Sequence, residues 1–330
     1  MSFIKYIVFT FLALGVGAGV FWAINKNLTH VIKNPTSENI SLKISPAPTT
    51  LPTSNERIDI LFLGVAGPKN EAPDLTDSIM LLSLKPDQKI FALTSFPRDL
   101  LIDLPQGAGV SRINALWKMG LKDYPKNPEY YLRETIKKIS GIDAKYFITI
   151  NLEGVQEIID LVGGINIFVP EKIYDPAFPQ PGIGITTFSI EAGWQHLDGA
   201  TAIKYVRTRH TIESDFGRMR RQQEVINALA AKIKGLNMFT DFENAWKIYN
   251  AAQKNVITNL SKNDLEKLYN LSKEFNLENG WKIVLDTKEN GLLENATVYF
   301  KNQKAYVLTP KDKDFSQIKY LITNIFDQKI

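Results

Sequence analysis

The chain has 330 residues, a mass of 37.3 kDa, a 44% hydrophobic share and a formal charge of +4 with a pI near 8.9. That length permits a substantial core in one large domain or two smaller ones, and so mild a basic excess does not by itself indicate nucleic acid. Cysteine is absent, which excludes disulfide scaffolds, thiolate metal sites and thiolate nucleophiles.

Residues 1–5 form a short amino-terminal end, expected to be cytoplasmic. Tyr6 to Asn25 carries no ionisable side chain except the tyrosine, and it matches the roughly 20 residues a helix needs to cross a hydrocarbon core. Lys5 precedes it and Lys26, His30 and Lys33 follow, so the positive charges barely favour either orientation. A cleaved signal peptide competes, with Gly17, Ala18 and Gly19 as small residues for a peptidase. The apolar run continues through Phe21 and Trp22, which favours an uncleaved transmembrane anchor. Residues 26–56 then turn to Pro, Thr, Ser and Asn with no apolar period, the composition of a flexible stalk.

A folded domain is expected over residues 57–235. Ile58 to Val65 is a short apolar run with little alternation, as in a strand buried on both faces. Ser78 to Leu84 and Ile90 to Phe96 flank the turn Lys85-Pro-Asp-Gln-Lys89 and predict an antiparallel hairpin. In such a hairpin Asp77 lies beside Arg98 and Asp99. Asn127-Pro128 opens a helix that Gly141 stops. Lys145 to Ile150 reads as a strand, Leu152 to Val162 as a helix and Ile165 to Val169 as a strand, which with the hairpin predicts a mixed central sheet with helices on both faces. Pro176 to Ser189 reads as a long irregular loop. Residues 236–330 carry helical patterns at Asp241 to Gln253 and Ser261 to Phe275, a strand at Trp281 to Leu285, a hairpin within Thr297 to Leu308 and a last helix from Asp314 to Phe326. They are expected to form an α+β extension packed on the same domain.

Five arginines crowd into Tyr205 to Gln222, and guanidinium forks match phosphate and carboxylate oxygens. Read as a strand, Tyr205 to Arg209 sets Arg207 and Arg209 on one face about 7 Å apart, the span of a pyrophosphate. Asp215 is a candidate N-cap for a helix running to about Lys234. Its apolar stripe, Val225, Leu229 and Ile233, extends backwards to Gln222 and Arg218, with Arg221 at the edge and Arg220 facing solvent beside Glu224 and Asn227. A guanidinium on a buried stripe needs an anionic partner, and the helix amino end favours the same ligand. Asp215, Glu213 or a core carboxylate is the internal alternative for Arg218.

Asp77 and Asp99 have two readings. Carboxylates beside a phosphate-binding arginine cluster suit a divalent cation such as Mg²⁺ or Mn²⁺; a plain Asp99–Arg98 pairing with Asp77 capping a turn is the other. His196 and His210 show no partners of a triad or a zinc site in the sequence and receive no role.

Leu75-Thr-Asp-Ser-Ile79, Thr94-Ser-Phe-Pro-Arg-Asp99, Arg112-Ile-Asn-Ala115, Leu161-Val-Gly-Gly-Ile-Asn166, Gly193-Trp-Gln-His-Leu-Asp-Gly199, Tyr205-Val-Arg-Thr-Arg209 and Asp215-Phe-Gly-Arg-Met-Arg-Arg-Gln222 together resemble the LytR–CpsA–Psr (LCP) family of bacterial envelopes. The resemblance covers about Ile58 to Lys234. It implies an α/β/α domain held outside the cytoplasmic membrane on one helix, and transfer of a glycopolymer such as teichoic acid or capsular polysaccharide from a polyprenyl-pyrophosphate carrier to peptidoglycan, with Mg²⁺. Carried over, it makes Asp77 a metal carboxylate and Arg98, Arg207, Arg209, Arg218 and Gln222 pyrophosphate ligands, with Arg221 beside them. Asp99 is either near the metal or orients Arg98. Where many members place a second metal aspartate, this chain has Gly64-Val-Ala-Gly67, leaving Glu71 or Asp74 as substitutes or the second carboxylate absent. The expected chemistry is attack of a sugar hydroxyl on the pyrophosphate, with lipid-pyrophosphate hydrolysis as a side activity.

A non-catalytic binder of an anionic wall polymer or polyprenyl-phosphate lipid is the alternative, and the carboxylates beside the arginines speak against it. The absence of extended basic or aromatic tracts and of a recognisable helix-turn-helix speaks against nucleic acid as a partner.

Overall fold

The computed structural model describes residues 51, 56–104, 107–180, 182, 184–235, 242–272, 274–275 and 280–327. The membrane segment expected at 6–25 lies outside them, as does nearly all of the stalk. Among the described residues no helix is long and apolar enough to cross a membrane.

Strands β1 (Ile58–Val65), β2 (Thr76–Lys85) and β3 (Ile90–Phe96) form an antiparallel meander that pairs Leu61 with Leu81 and Ile79 with Phe96. The short ladder β4 (Leu101–Asp103) with β5 (Val110–Arg112) follows, and then helices α1 (Leu116–Asp123) and α2 (Tyr130–Ser140). Gly141 ends α2 in a left-handed conformation, φ 74°, where its N–H donates to the Lys137 carbonyl at 2.9 Å; a side chain there would be strained. β6 (Tyr146–Asn151) runs parallel to β1, and Asn151 caps α3 (Leu152–Leu161) by accepting the Gly154 N–H at 2.7 Å.

β7 (Ile165–Val169), β8 (Ile173–Gln180), β9 (Gly184–Ile190) and β10 (Gly193–Leu197) make two separate two-stranded sheets, β7 with β10 and β8 with β9. Helices α4 (Gly199–Arg207), α5 (Ser214–Gly235) and α6 (Phe242–Asn255) lead to β11 (Val256–Thr258), α7 (Lys262–Ser272) and β12 (Gly280–Val284). The hairpin β13 (Leu293–Phe300) with β14 (Gln303–Pro310) and helix α8 (Ser316–Thr323) complete the described chain.

The central sheet has the order β11-β6-β1-β2-β3-β12 and mixes parallel with antiparallel pairs. Because side chains alternate along a strand, the unbroken apolar runs feed two cores. Ile60, Phe62 and Leu82 pack with Ile158, Val225 and Leu229 on one face. Leu61, Leu63 and Leu81 pack with Trp117, Ile136 and Ile318 on the other. This is the mixed sheet with helices on both faces that the pattern predicts.

Three expectations are corrected. Pro176 to Ser189 is no irregular loop: it lies within the β8–β9 hairpin, whose register shifts between Asp175 and Phe178. Proline is tolerated there because a two-stranded sheet has only edge strands. Tyr205 to Arg209 is no strand, because α4 runs to Arg207. Asp198 caps that helix by accepting the Thr201 N–H at 2.7 Å, and Ala202, Ile203 and Val206 bury one face at helical spacing. The residues beyond 235 do more than pack on a finished domain, since β11 and β12 are the two edge strands of the central sheet.

Candidate functional site

The β2–β3 register decides the first half of the site. Ile79 faces Phe96, so the chain continues beyond the paired region to bring Asp77 against Arg98, whose Nη1 donates to Asp77 Oδ1. Arg98 Nε lies 3.7 Å from Asp99 Oδ2 and 4.0 Å from Asp215 Oδ1. Asp99 turns its other oxygen to Arg112, 3.3 Å from Nε.

The second half comes from the end of α4 and the start of α5. The Arg207 guanidinium sits over the ring of Phe178, 5.6 Å from its centroid, a cation–π contact with a buried aromatic. Arg209 Nε is 3.6 Å from Asp215 Oδ1. Arg218, only 3% exposed, places Nη2 3.0 Å from Asp215 Oδ1 and Nη1 3.9 Å from Asp77 Oδ1. Asp77, Arg207, Arg209, Arg218 and Gln222 line a cavity of about 280 Å³. An adjoining cavity of about 480 Å³ shares Asp77 and Arg207 and adds Arg98 and Glu71. Leu152, Pro179, Leu75 and Ile185 give that second space apolar walls.

Four guanidinium groups thus meet two carboxylates, Asp77 and Asp215. Burial pulls the Arg218 pKa down to about 10; Asp215 opposes this, while Arg98 and Arg209 reinforce it. Arg207 and Arg209 are likewise lowered, first by burial and then, for Arg209, by Arg98. For Arg98 burial also works against the charge, but Asp77, Asp215 and Asp99 together outweigh it and the pKa rises. Four buried polar atoms here have no hydrogen-bond partner: Arg98 Nε, Arg218 Nε, Gln222 Oε1 and Ser78 Oγ. Buried donors without acceptors are rare in folded chains, and an anion in the cavity would supply two of them.

The structure therefore gathers Asp77, Arg98, Arg207, Arg209, Arg218 and Gln222, although Arg207 and Arg209 arrive from a helix end and not from one strand face. Arg221 is placed elsewhere. It is 6% exposed, donates from Nε to the Tyr205 carbonyl at 2.9 Å and from Nη2 to the Thr208 carbonyl, and so pins the segment that carries Arg207 and Arg209. Arg220 does not face open solvent: it pairs with Glu213 and, at 3.1 Å, with Asp286. The helix pattern of α5 could not register that the segment around β12 covers this side. Asp215 is the residue sequence reasoning undervalued, since it lies inside the first turn of α5 as the common carboxylate of Arg98, Arg209 and Arg218 and is not the N-cap.

Among the described residues no group of three or more His, Cys, Asp or Glu converges to hold a metal. The cavity carboxylates are Asp77 and Asp175; both oxygens of Asp175 are engaged by Thr208, Ala177 and His210, which leaves Asp77, with Glu71 on the adjoining wall, as the cation donors. That donor set fits Mg²⁺, which commonly takes one or two carboxylates and fills its shell with phosphate oxygens and water. Asp99 fits less well, because its two oxygens face Arg112 and Arg98 and it lies outside both linings.

The LytR_cpsA_psr family model matches residues 22–314. The chain is 34% identical over 171 residues to the probable cell wall biosynthesis protein LcpB of Corynebacterium glutamicum, a match covering 52% of this chain and 37% of that protein. It is 28% identical over 254 residues to the polyisoprenyl-teichoic acid–peptidoglycan teichoic acid transferase TagU of Bacillus mycoides, covering 76% of each. The crystal structure of B. subtilis TagV superposes with a TM-score of 0.62 at 22% identity over 84% of this chain and all of that one, 100%, a likeness of fold.

Proposed function

The chain belongs to the LytR_cpsA_psr family, and from that footing we propose that it transfers a cell-wall glycopolymer from a polyprenyl-pyrophosphate carrier to peptidoglycan or another wall acceptor. The observation that carries the reading is the cavity in which Arg207, Arg209 and Arg218 surround Asp77, with Arg98 on the adjoining wall. The names of relatives such as TagU support the reaction class.

In this reading Arg207, Arg209 and Arg218 bind the two phosphates, and their preset charge stabilises the extra negative charge of the transition state. They need little rearrangement, because Asp215 and the Arg221 clamp already fix their positions. Arg98 holds Asp77, and Asp77 would hold a Mg²⁺ (or Mn²⁺) whose chemistry is to neutralise charge on the phosphate oxygens. A sugar hydroxyl attacks the phosphate bearing the glycan, and the polyprenyl phosphate leaves. The apolar walls of the second cavity suit the lipid side of the carrier. An uncleaved anchor at residues 6–25 would keep the domain at the outer face of the bacterial cytoplasmic membrane, beside that lipid.

The test is incubation of the chain with a polyprenyl-pyrophosphate oligosaccharide, peptidoglycan fragments and Mg²⁺. Metal-dependent appearance of glycan on the peptidoglycan is expected. Carrier binding without any transfer would overturn the enzymatic reading in favour of a polymer or lipid binder.

A further inference from the structure

The 280 Å³ cavity holds a second pair of titratable groups, Asp175 and His210, that the reaction above leaves unused. Asp175, on β8, is 1% exposed. Its Oδ2 accepts from Thr208 Oγ1 at 2.5 Å, and its Oδ1 accepts the Ala177 N–H at 3.1 Å and lies 2.7 Å from His210 Nδ1. The carboxylate is thereby held in one orientation against the imidazole, while His210 itself remains about half exposed at the cavity wall. The segment bearing it is fixed from behind: Thr208 is fully buried, its N–H donates to the Lys204 carbonyl at 3.0 Å, and its carbonyl accepts from Arg221.

We propose that His210 is the general base of the transfer and that Asp175 is its positioning residue. The assignment rests on the glycopolymer-transfer reading. A carboxylate on Nδ1 keeps the proton on that nitrogen and leaves the Nε2 lone pair to accept one, the logic of a base oriented by a third group. The other groups lining the cavity are poorer bases: Arg207, Arg209 and Arg218 carry only donors, and Asp77 pairs with Arg98 through Oδ1 and in the transfer reading serves the cation. As the acceptor hydroxyl attacks, its proton passes to Nε2 and the new O–P bond forms. The bond from that phosphorus to the bridging oxygen breaks, its electron pair leaves on the polyprenyl phosphate, and the imidazolium returns its proton to water. The charged groups that share the cavity with the imidazole are Asp175 from β8, Asp77 from β2, and Arg207, Arg209 and Arg218 from the ends of α4 and α5.

The test compares wild type, His210→Gln and Asp175→Asn in the full chain, with carrier-linked oligosaccharide, peptidoglycan fragments and Mg²⁺. Transfer rate is read against pH, carrier affinity separately, and folding by circular dichroism. Wild type is expected to lose activity on acidification, because a protonated imidazole cannot accept the hydroxyl proton. His210→Gln should lower the maximal rate about 10²–10⁴-fold and abolish that limb, with carrier affinity within about threefold. Asp175→Asn should keep the limb and lower the maximal rate, because the imidazole loses the partner that orients it. An unchanged rate and pH profile in a folded His210→Gln chain would overturn the assignment while leaving the transfer reading intact. A wild-type chain that binds carrier and transfers nothing would overturn both.

Discussion

Arg218 and Asp215 lie one turn apart on α5 with Nη2 3.0 Å from Oδ1, and the pair buries a guanidinium whose Nε still has no acceptor. Asp215 also stands near Arg98 and Arg209, so one carboxylate is shared among three cations. A phosphate entering the cavity would complete a pairing that the protein leaves partial.

Arg218→Met should separate stability from binding. Removing one member of a buried ion pair is costly because it leaves the other charge uncompensated, but Asp215, 22% exposed, still has Arg98 and Arg209 nearby. The melting temperature without ligand is expected to fall only modestly. Inorganic pyrophosphate should raise it in wild type and not in the variant, and transfer should fall by about 10²-fold or more, the scale of losing one charge-stabilising donor.

The same residue fixes a pH dependence. Burial lowers the Arg218 pKa to about 10, so on raising the pH the folded chain releases this proton before the unfolded chain does. The cost of the buried charge is full below pH about 10 and is relieved as the pH rises beyond it. The pyrophosphate-induced rise in melting temperature should therefore be complete at pH 8 and shrink once the pH passes that lower value, as thermal scans in alkaline buffers would reveal.

How much of this was legible beforehand differs between the two halves of the site. The hairpin around Lys85 to Lys89 fixes its own register through a short local turn between two apolar runs, so Asp77 could be set against Arg98 from the sequence. The Tyr205 to Arg209 segment misleads because Tyr205, Val206 and Thr208 have strand propensity, while the signals that win, the Asp198 cap and the spacing of Ala202 with Val206, lie upstream or have helical period. The Asp175–His210 pair gave no sequence signal, since it depends on the β8–β9 hairpin folding across the end of α4. The covered side of α5 was equally hidden, because a helix pattern shows that a face is polar and not which distant segment supplies its counter-charge.

Arg220→Ala should provide the contrast to Arg218. Arg220 and Glu213 are each about a third exposed, whereas Asp286 is 11% exposed and loses a partner, so the expected loss is about 1–2 kcal/mol after allowing for solvent screening. Transfer should remain within a few-fold of wild type. Urea titration and the transfer assay together check this, and an activity loss equal to that of Arg218→Met would show that Arg220 also serves the ligand.

Asp77→Asn and Asp99→Asn should part company in a metal titration. The first is expected to abolish the response of transfer to Mg²⁺, while the second should retain it with a lower melting temperature, because Asp99 holds Arg112 at 3.3 Å. Equal loss of the Mg²⁺ response in both would return Asp99 to the metal.

Glu129 is a stability lever remote from the site. It is buried at the start of α2, its Oε2 has no hydrogen-bond partner, and burial raises its pKa despite its own backbone N–H and Arg133. Ionising it costs stability as the pH climbs from its unfolded value of 4.5 through the folded one. Glu129→Gln should raise the melting temperature at pH 8 and leave it nearly unchanged at pH 4.

Both margins of the central sheet are supplied by residues beyond 255, β11 beside β6 and β12 beside β3. A chain emerging from the ribosome amino end first has made every arginine of the pocket while its sheet still has two bare edges, open to pairing with any other extended chain. Maturation of the pocket is thus tied to completion of the last quarter of the polypeptide. An interruption of synthesis there yields an aggregation-prone sheet and not a smaller working enzyme.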